Sequence, residues 1–550
     1  MQGKTVATWW RIHWPFFLIA AAALALRLAP LATSQRYADG DEAVVGVMAK
    51  HILEKGERLV FPYAQPYGGG GAIEAYLVAL SFRVLGISSI SLKLVGVAVS
   101  MATLLAAYLF CVRHLGLGTA RLGAGFLAVA TPLIEWNSKV RGGGNTEAIL
   151  FSILIVFAFC RIAYRRHTGV GSFLALGLVS GLAWWNSEII LSCLVALAVA
   201  SLAWGGLFLR LRAMAATAGG FIVGCSPMLV HDVASGFDRW HQLYQQVAAT
   251  GGLNWGRTLA MSYRLPLVEL PRFFTSRNVD QFVTSLPTAG YVECGVTAAL
   301  VILVCVISRS SLRRIATAWI PVRRVRPTWM EPRPEALLAW VMLVHLLFYA
   351  AFLHRGQSPR YFLPLYPGLA LVCGAGVCWA WRRGGLARGL GAVACLALVG
   401  LGLSNQLRSI GPSKVNDDVL TQDLVPGEKP GRVFLVQRRI NEATSGEAIP
   451  QIIALLKAHG IRHVRTTFFV QWRLIFESKD EIIASSRGLT PGAVRYPAYD
   501  EEVDRAESTP GVPVARVFHQ RSWYNTLPEL ADFQSARIDS FIVYWPKSAP

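Results

Sequence analysis

The chain has 550 residues, of which 53% are hydrophobic and only 16% charged. A soluble domain carries roughly 25% charged residues, so the deficit, together with repeated apolar runs of about 20 residues, describes a polytopic membrane protein and excludes secreted, cytosolic and fibrous classes. The formal charge of +20 is unevenly placed: Asn405–Pro550 holds 18 basic and 17 acidic residues, leaving 35 and 16 in the first 404. Basic residues scattered between apolar spans fit loops that hold a protein's orientation. Nucleic-acid binding, which would gather them on one domain, is not expected.

In chain order, the first apolar run, 14–32, follows Lys4 and Arg11 as a signal peptide would, but it is longer than a typical h-region and lacks a convincing cleavage site. It reads as a retained span. Further spans are expected near 92–112, 118–134, 147–160, 170–186, 188–209, 213–231, 290–308, 335–353, 362–381 and 387–404, eleven in all. The stretch Ala72–Leu85, about 14 residues interrupted by Glu74 and Arg83, would cover roughly 21 Å of a hydrocarbon core of roughly 30 Å. With the N-terminus in the cytoplasm and this stretch lying on the surface, Arg113/His114/Arg121, Arg161/Arg165/Arg166, Arg210/Arg212, the arginine-rich 309–326 run and Arg382/Arg383/Arg388 all face the cytoplasm. Counted as a span, it would turn those clusters outward. The expected fold class is therefore mainly α, with surface-lying helices in the first outer loop.

On this topology the outer face receives the loops Ala32–Ser91, Glu135–Thr146, His231–Ala289 and His354–Tyr361, and the C-terminal tail. In the tail Val433–Val436, Val464–Val470, Ile482–Ala484 and Phe541–Tyr544 read as strands. Ala448–His459 reads as a helix, apolar at Ile449, Ile452, Ile453, Leu455 and Leu456, with Gly460 as its C-cap. Two domains are expected: a membrane domain over 1–405 and a small extracytoplasmic α/β domain over 406–550. The nine cysteines, Cys111 to Cys395, lie in or at the ends of apolar segments without a CxxC pair, so neither a zinc site nor a disulfide framework is indicated.

The outer loops carry the chemistry. Asp39-Gly40-Asp41-Glu42 precedes an amphipathic helix with Val44, Val45, Met48 and Ile52 on one face and Lys50 and Glu54 on another. Adjacent carboxylates suit a general base and a positioning partner. Equally, Asp39 suits an N-cap and Glu42 its capping-box return, and spacing alone leaves both open. Pro62-Tyr63-Ala64-Gln65-Pro66-Tyr67 leads into Gly68–Gly71, a run that would let backbone N–H groups approach an anion or serve as a flexible turn. It lacks the Walker lysine.

In the second loop, Arg141-Gly142-Gly143-Gly144-Asn145-Thr146-Glu147 places a carboxylate where a span enters the bilayer. There it needs a partner such as Arg141, an N-terminal position or a site role. His354–Tyr361 exposes Arg355, Arg360 and Tyr361 against the positive-inside bias. Guanidinium suits phosphate, and the phosphate of bulk lipid would satisfy it as well as a substrate's. His345 lies mid-span and reads as core. Acids, a glycine-rich segment and arginines on one face match a reaction in which phosphate leaves a lipid-borne donor, with a base for the attacking hydroxyl and cations for the developing charge.

These residues resemble the GT-C glycosyltransferases of the family 39 type, which include protein O-mannosyltransferases and bacterial lipid A aminoarabinose transferases. The resemblance rests on Asp41-Glu42 after the first span, the Tyr67–Tyr76 run, Leu94 to Leu104 leading to Arg113, Arg141-Gly-Gly to Glu147, Trp184-Trp185-Asn186 and Arg360-Tyr361-Phe362-Leu363-Pro364. It covers about 30–405. It implies a GT-C fold and an inverting, metal- and cofactor-independent transfer from a polyprenyl-phosphate sugar to a lipid, glycan or protein acceptor, on the outer side of the inner (plasma) membrane. Asp41 would be the catalytic base and Glu42 the second acid. Tyr63 and Tyr67 would stack on the sugar, Glu74, Arg141, Asn145 and Glu147 would line the substrate site, and Arg355 and Arg360, beside Tyr361, would hold the phosphate. Where the aminoarabinose transferases have Lys-Pro-Pro, this chain has Gln65-Pro66-Tyr67-Gly68. A transporter or flippase of lipid-linked sugars is the rival reading. It would place ionisable residues at mid-bilayer in interrupted helices, whereas here the acids gather in loops.

Overall fold

The computed structural model describes residues 2–33, 36–63, 71–139, 142–165, 167–204, 206–241, 245, 264–275, 288–318, 332–353, 359–410, 447–489, 494–520 and 522–547. Among them, seven helices are long and apolar enough to cross a membrane: Thr8–Ala32, Ser89–His114, Asn145–Ala163, Gly290–Ile307, Pro334–Ala351, Arg360–Arg383 and Gly385–Leu407. An eighth candidate is the pair Leu211–Gly224 and Ser226–Ala234, bent by 68°. Pro227 stands in the first turn of the second half, where the missing N–H removes a ladder bond and favours the break.

The other expected spans are shorter. Val170–Asn186 has 17 residues, and the 188–209 run is divided among short 3-10 turns and the helix Leu191–Ser201. The 118–134 run stops at Ala128, and a new six-residue helix starts at Pro132 behind the N-cap Thr131. A helix end in an apolar setting must find partners for its carbonyls inside the protein. Arg27, only 2% exposed, donates to the carbonyls of Leu127 (3.0 Å) and Ala128 (3.3 Å). Tyr366 Oη donates to Phe126 O at 3.0 Å and Gln406 Nε2 to Ala128 O at 3.3 Å. The guanidinium also complements the negative end of the helix dipole, so Arg27 terminates a helix. Helices Val170–Asn186 and Leu211–Gly224 approach so closely that side chains at Gly177, Gly181, Gly220 or Gly224 would meet the facing backbone, the small-residue packing of membrane helices.

Contacts divide the chain into two units. One comprises Met1–Leu28, Gly96–Lys139 and Gly143–Ser409; the other comprises Ala29–Val95, Val140–Gly142 and Ile410–Pro550. The first loop thus groups with the tail, and the division does not fall simply at 405.

Within the second unit, helix Gly40–Glu54 lies on helix Phe468–Ser478. A Cβ on Gly40 would come within 2.6 Å of Phe469 Cα, and one on Gly46 within 2.5 Å of the Phe476 ring. Helix Ile73–Leu85 has 13 residues and is too short to be a span, as its length leads one to expect; its Phe82 stacks on Phe476 with centroids 6.0 Å apart.

The tail is α/β. Its strands are β1 (His463–Thr466), β2 (Ile483–Ser485), β3 (Val514–His519), β4 (Phe533–Ile538) and β5 (Phe541–Pro546). They form one sheet of order β2-β1-β3-β5-β4, parallel at β2-β1-β3 and antiparallel from β3 to β4. The parallel pairs require crossovers, supplied by helices Phe468–Ser478 and Pro497–Ser508. Helix Ala448–Ala458 forms where expected, and Gly460, at φ +63°, follows its end. Val464–Val470 is corrected: only its first half is a strand, and the helix begins at Phe468. Its Phe468–Phe476 residues are all buried, and the short apolar run at its start, Phe468–Val470, cannot by itself be told from a buried strand. The expected strand at Val433–Val436 lies outside the described residues.

Candidate active site

The acidic turn of the first loop is built by local rules. Asp39, extended at φ −82° and ψ −177°, caps helix Gly40–Glu54. Its Oδ1 accepts the Glu42 N–H at 2.8 Å, and Glu42 Oε2 accepts the Asp39 N–H at 3.0 Å. This reciprocal pair is a capping box. Glu42 has a second partner: Lys93 Nζ donates to its Oε2 at 2.5 Å, with side chains 2% and 1% exposed respectively. Glu42 is therefore held by the cap and by Lys93. Its carboxylate is thereby enclosed between the cap and the lysine.

Asp41, between the two box residues, is half-buried and takes part in neither bond of the box. It lies against the second loop: a Cβ on Gly142 would sit 3.8 Å from the Asp41 Cβ. Glu74 reaches the same glycine, its Oε1 accepting the Gly142 N–H at 2.7 Å. Asp41 and Glu74, 33 residues apart in sequence, are thereby brought to one backbone position.

Tyr63 lies in a polar and aromatic cluster of the second unit. It is 8% exposed, its hydroxyl donating to Glu57 Oε2 at 2.6 Å and lying 2.6 Å from His51 Nδ1. Its ring lies 4.8 Å from that of Tyr496, tilted by 48°. Burial, then the hydrogen bond to Glu57, raises the phenol well above its ordinary value. The network extends through His51 Nε2 to Tyr499 Oη (2.8 Å) and Lys55 Nζ (3.0 Å). Beside it Lys50 binds Asp480 Oδ2 at 2.8 Å and the Lys479 carbonyl at 2.7 Å. This cluster ties the first loop to the tail inside the second unit.

In the first unit, Asn145 opens helix Asn145–Ala163 behind Gly144, whose φ is +63°. Asn186 Nδ2 donates to the Gly144 carbonyl at 2.8 Å, which gives the Trp-Trp-Asn motif a structural task. Glu147, 2% exposed, lies in the first turn, where the helix dipole favours a carboxylate. Arg360 and Tyr361 sit on the 3-10 turn Pro359–Leu365, with the guanidinium 5.3 Å from the Tyr361 ring centre. His345 bridges Ser192 Oγ (2.6 Å) and the Tyr361 carbonyl (2.7 Å), buried as expected for core. Tyr67, Arg141 and Arg355 lie outside the described residues.

Sequence reasoning missed three features. Lys93 was visible as a lysine near the start of an otherwise apolar span, where a charge needs a partner. Arg239, 2% exposed, binds Asp232 through Nε (2.9 Å) and Nη2 (2.7 Å) and Glu188 through Nη1 (2.9 Å). Arg264 and Arg272 flank buried Glu269 at 3.7 and 3.8 Å, on a segment packed through Phe273 against Phe362 of the Arg360 turn. Among the described residues no group of three or more His, Cys, Asp or Glu is gathered to hold a metal ion.

No family model matches the chain, and no curated protein matches it in sequence. Solved structures do. ArnT from Cupriavidus metallidurans bound to undecaprenyl phosphate superposes with a TM-score of 0.60 at 13% identity, over 96% of this chain and 97% of that one. The same protein in the apo state gives 0.53 at 13% identity, over 98% of each chain. The Archaeoglobus fulgidus oligosaccharyltransferase tethered with an acceptor peptide gives 0.52 at 13% identity, over 93% of this chain and 70% of that one. With its apolar membrane-length helices, its C-terminal sheet and these neighbours, this multi-pass membrane protein has the GT-C glycosyltransferase fold.

Proposed function

We propose that the protein is a membrane glycosyltransferase that moves a sugar from a polyprenyl-phosphate donor to an acceptor on the outer face of the inner (plasma) membrane, with inversion and with Asp41 as general base. The observation that carries this reading is the acidic turn: Asp39 and Glu42 are engaged in a capping box, Glu42 also in the Lys93 pair, and Asp41 sits between them against Gly142. The fold's solved members include one bound to undecaprenyl phosphate and one tethered to an acceptor peptide, which supports a lipid-borne donor and a separate acceptor.

In the proposed step Asp41 takes the acceptor's proton as its heteroatom attacks the anomeric carbon. The bond from that carbon to the phosphate oxygen breaks on the opposite face, and the electron pair leaves with the phosphate. Arg355 and Arg360 would neutralise the charge that grows on it. Arg264 and Arg272 are further cations on a neighbouring segment. Glu74, Arg141, Asn145 and Glu147 would position sugar or acceptor, with membrane lipids around the donor chain.

One observation favours the rival transporter reading: Glu293, 5% exposed within span Gly290–Ile307, lines a small cavity of about 30 Å³ with Thr131, Thr297 and Tyr366, and intramembrane acids often mark transport paths. Proteoliposomes loaded with radiolabelled polyprenyl-phosphate sugar separate the two. Donor consumption without transbilayer flux, lost in Asp41→Asn, supports the transferase. Flux without consumption overturns it.

A further inference from the structure

We propose that Lys93 is a positioning residue for Asp41, acting through Glu42; the inference rests on the transferase reading for its functional part only. Lys93 stands in the first turn and a half of helix Ser89–His114, and Glu42 in the first turn of helix Gly40–Glu54. Their ion pair, at 2.5 Å with side chains 2% and 1% exposed, is enclosed on both sides.

Burying two charges costs desolvation that their attraction roughly repays, so an apolar pair would pack as well. What an ion pair adds is a fixed direction. Here the direction bears on the capping box, because the same Glu42 Oε2 that meets Lys93 accepts the Asp39 N–H. Lys93 therefore holds the box closed from a separate helix. Asp41 is the residue whose Cα is fixed on both sides by that box: Asp39 is its neighbour but one and Glu42 its neighbour. Gly40 is wedged against Phe469, so the turn has little room to adjust elsewhere. Without Lys93, Glu42 would be a buried carboxylate lacking its cation. The turn would open to carry it toward water, and Asp41 would move with it.

The test uses the full chain in nanodiscs, with a polyprenyl-phosphate sugar donor and its acceptor, comparing Lys93→Met, Glu42→Gln and the double variant. Each single change is expected to lower kcat per folded molecule about 10- to 100-fold, the loss that a misplacement on the order of 1 Å produces, while the donor KM stays as in the parent. The double variant is expected to fall no further than the worse single one, because the two residues act as one unit. A raised KM with kcat retained in Lys93→Met would make Lys93 a donor contact and overturn the proposal, as would losses that multiply in the double variant or no loss at all.

Hydrogen exchange gives a reading independent of turnover. Amides of 40–43 should exchange faster in Lys93→Met, while those of β3 stay protected. Unchanged exchange at 40–43 overturns the positioning role. Faster exchange in a protein whose parent transfers no sugar would leave the geometry standing and remove the transferase reading instead.

Discussion

Two clusters of carboxylates and cations, one in each unit, look alike on paper and differ in how their partners are arranged along the chain. At Asp232–Arg239–Glu188 both oxygens of Asp232 accept from Arg239, Trp240 Nε1 adds a third bond at 3.0 Å, and Glu188 takes the remaining face of the guanidinium. At Asp39–Glu42 three acids stand within four residues, yet the box and the lysine use the outer two, and the middle one faces the second loop. Carboxylate count in the sequence is the same kind of signal in both. The difference lies in the partners: Arg239 and Trp240 stand 7 and 8 residues from Asp232, whereas the box closes over 3 residues and Lys93 arrives from 51 away.

The comparison breaks or holds first at its largest effect. Asp41→Asn should lower transfer by about 10²–10⁴-fold, the usual worth of a general base, with a smaller thermal loss than Asp232→Asn. Asp232→Asn should do the reverse. It leaves buried Arg239 with Glu188 as its remaining carboxylate, a loss toward the lower end of the roughly 3–5 kcal/mol of a broken buried pair, while turnover per folded molecule is kept. Calorimetry alongside a donor-turnover assay reads both, and a thermal loss in Asp41→Asn equal to that in Asp232→Asn would erase the distinction between the clusters.

The same contrast shows what was legible beforehand. The long spans were, because hydropathy sums over a whole helix. The capping box was, because Asp39 and Glu42 are three residues apart and the rule is local. The end of the 118–134 span was legible only in part: Thr131-Pro132 is a local break, but Arg27, Tyr366 and Gln406, which take the carbonyls of Phe126, Leu127 and Ala128, arrive from other helices. The surroundings of Tyr63 were not legible, for its ring meets Tyr496 from 433 positions away. The pairing of Lys93 with Glu42 was beyond local rules for the same reason.

A smaller effect tests whether the acidic turn depends on the tail that underlies it. Gly46→Ala drives a methyl into the Phe476 ring and should cost about 1–3 kcal/mol by overpacking. Gly46→Ala combined with Phe476→Leu should recover most of it. Thermal unfolding of the three variants checks this. A neutral Gly46→Ala would mean that the helix carrying Asp41 does not need the close seat on helix Phe468–Ser478.

The smallest effect concerns acid. Burial pushes the Asp480 carboxyl up, but hydrogen bonds from His51 and Lys50 outweigh it and hold the group down at about 2, below its ordinary 3.8. A carboxylate depressed in the folded state contributes stability above its unfolded value, and that contribution is lost as the pH falls through the folded one. Unfolding of the parent should therefore steepen between pH 4 and 2, and Asp480→Asn should be less stable at neutral pH by a margin that closes as pH 2 is approached. The margin is modest because Asp480 keeps 20% of its side chain in water, which screens the pair. A margin independent of pH would mean that the carboxylate's charge is not what joins the first loop to the tail. The aromatic contacts of Tyr63, Tyr496 and Tyr499 around His51 would then carry that junction by packing alone.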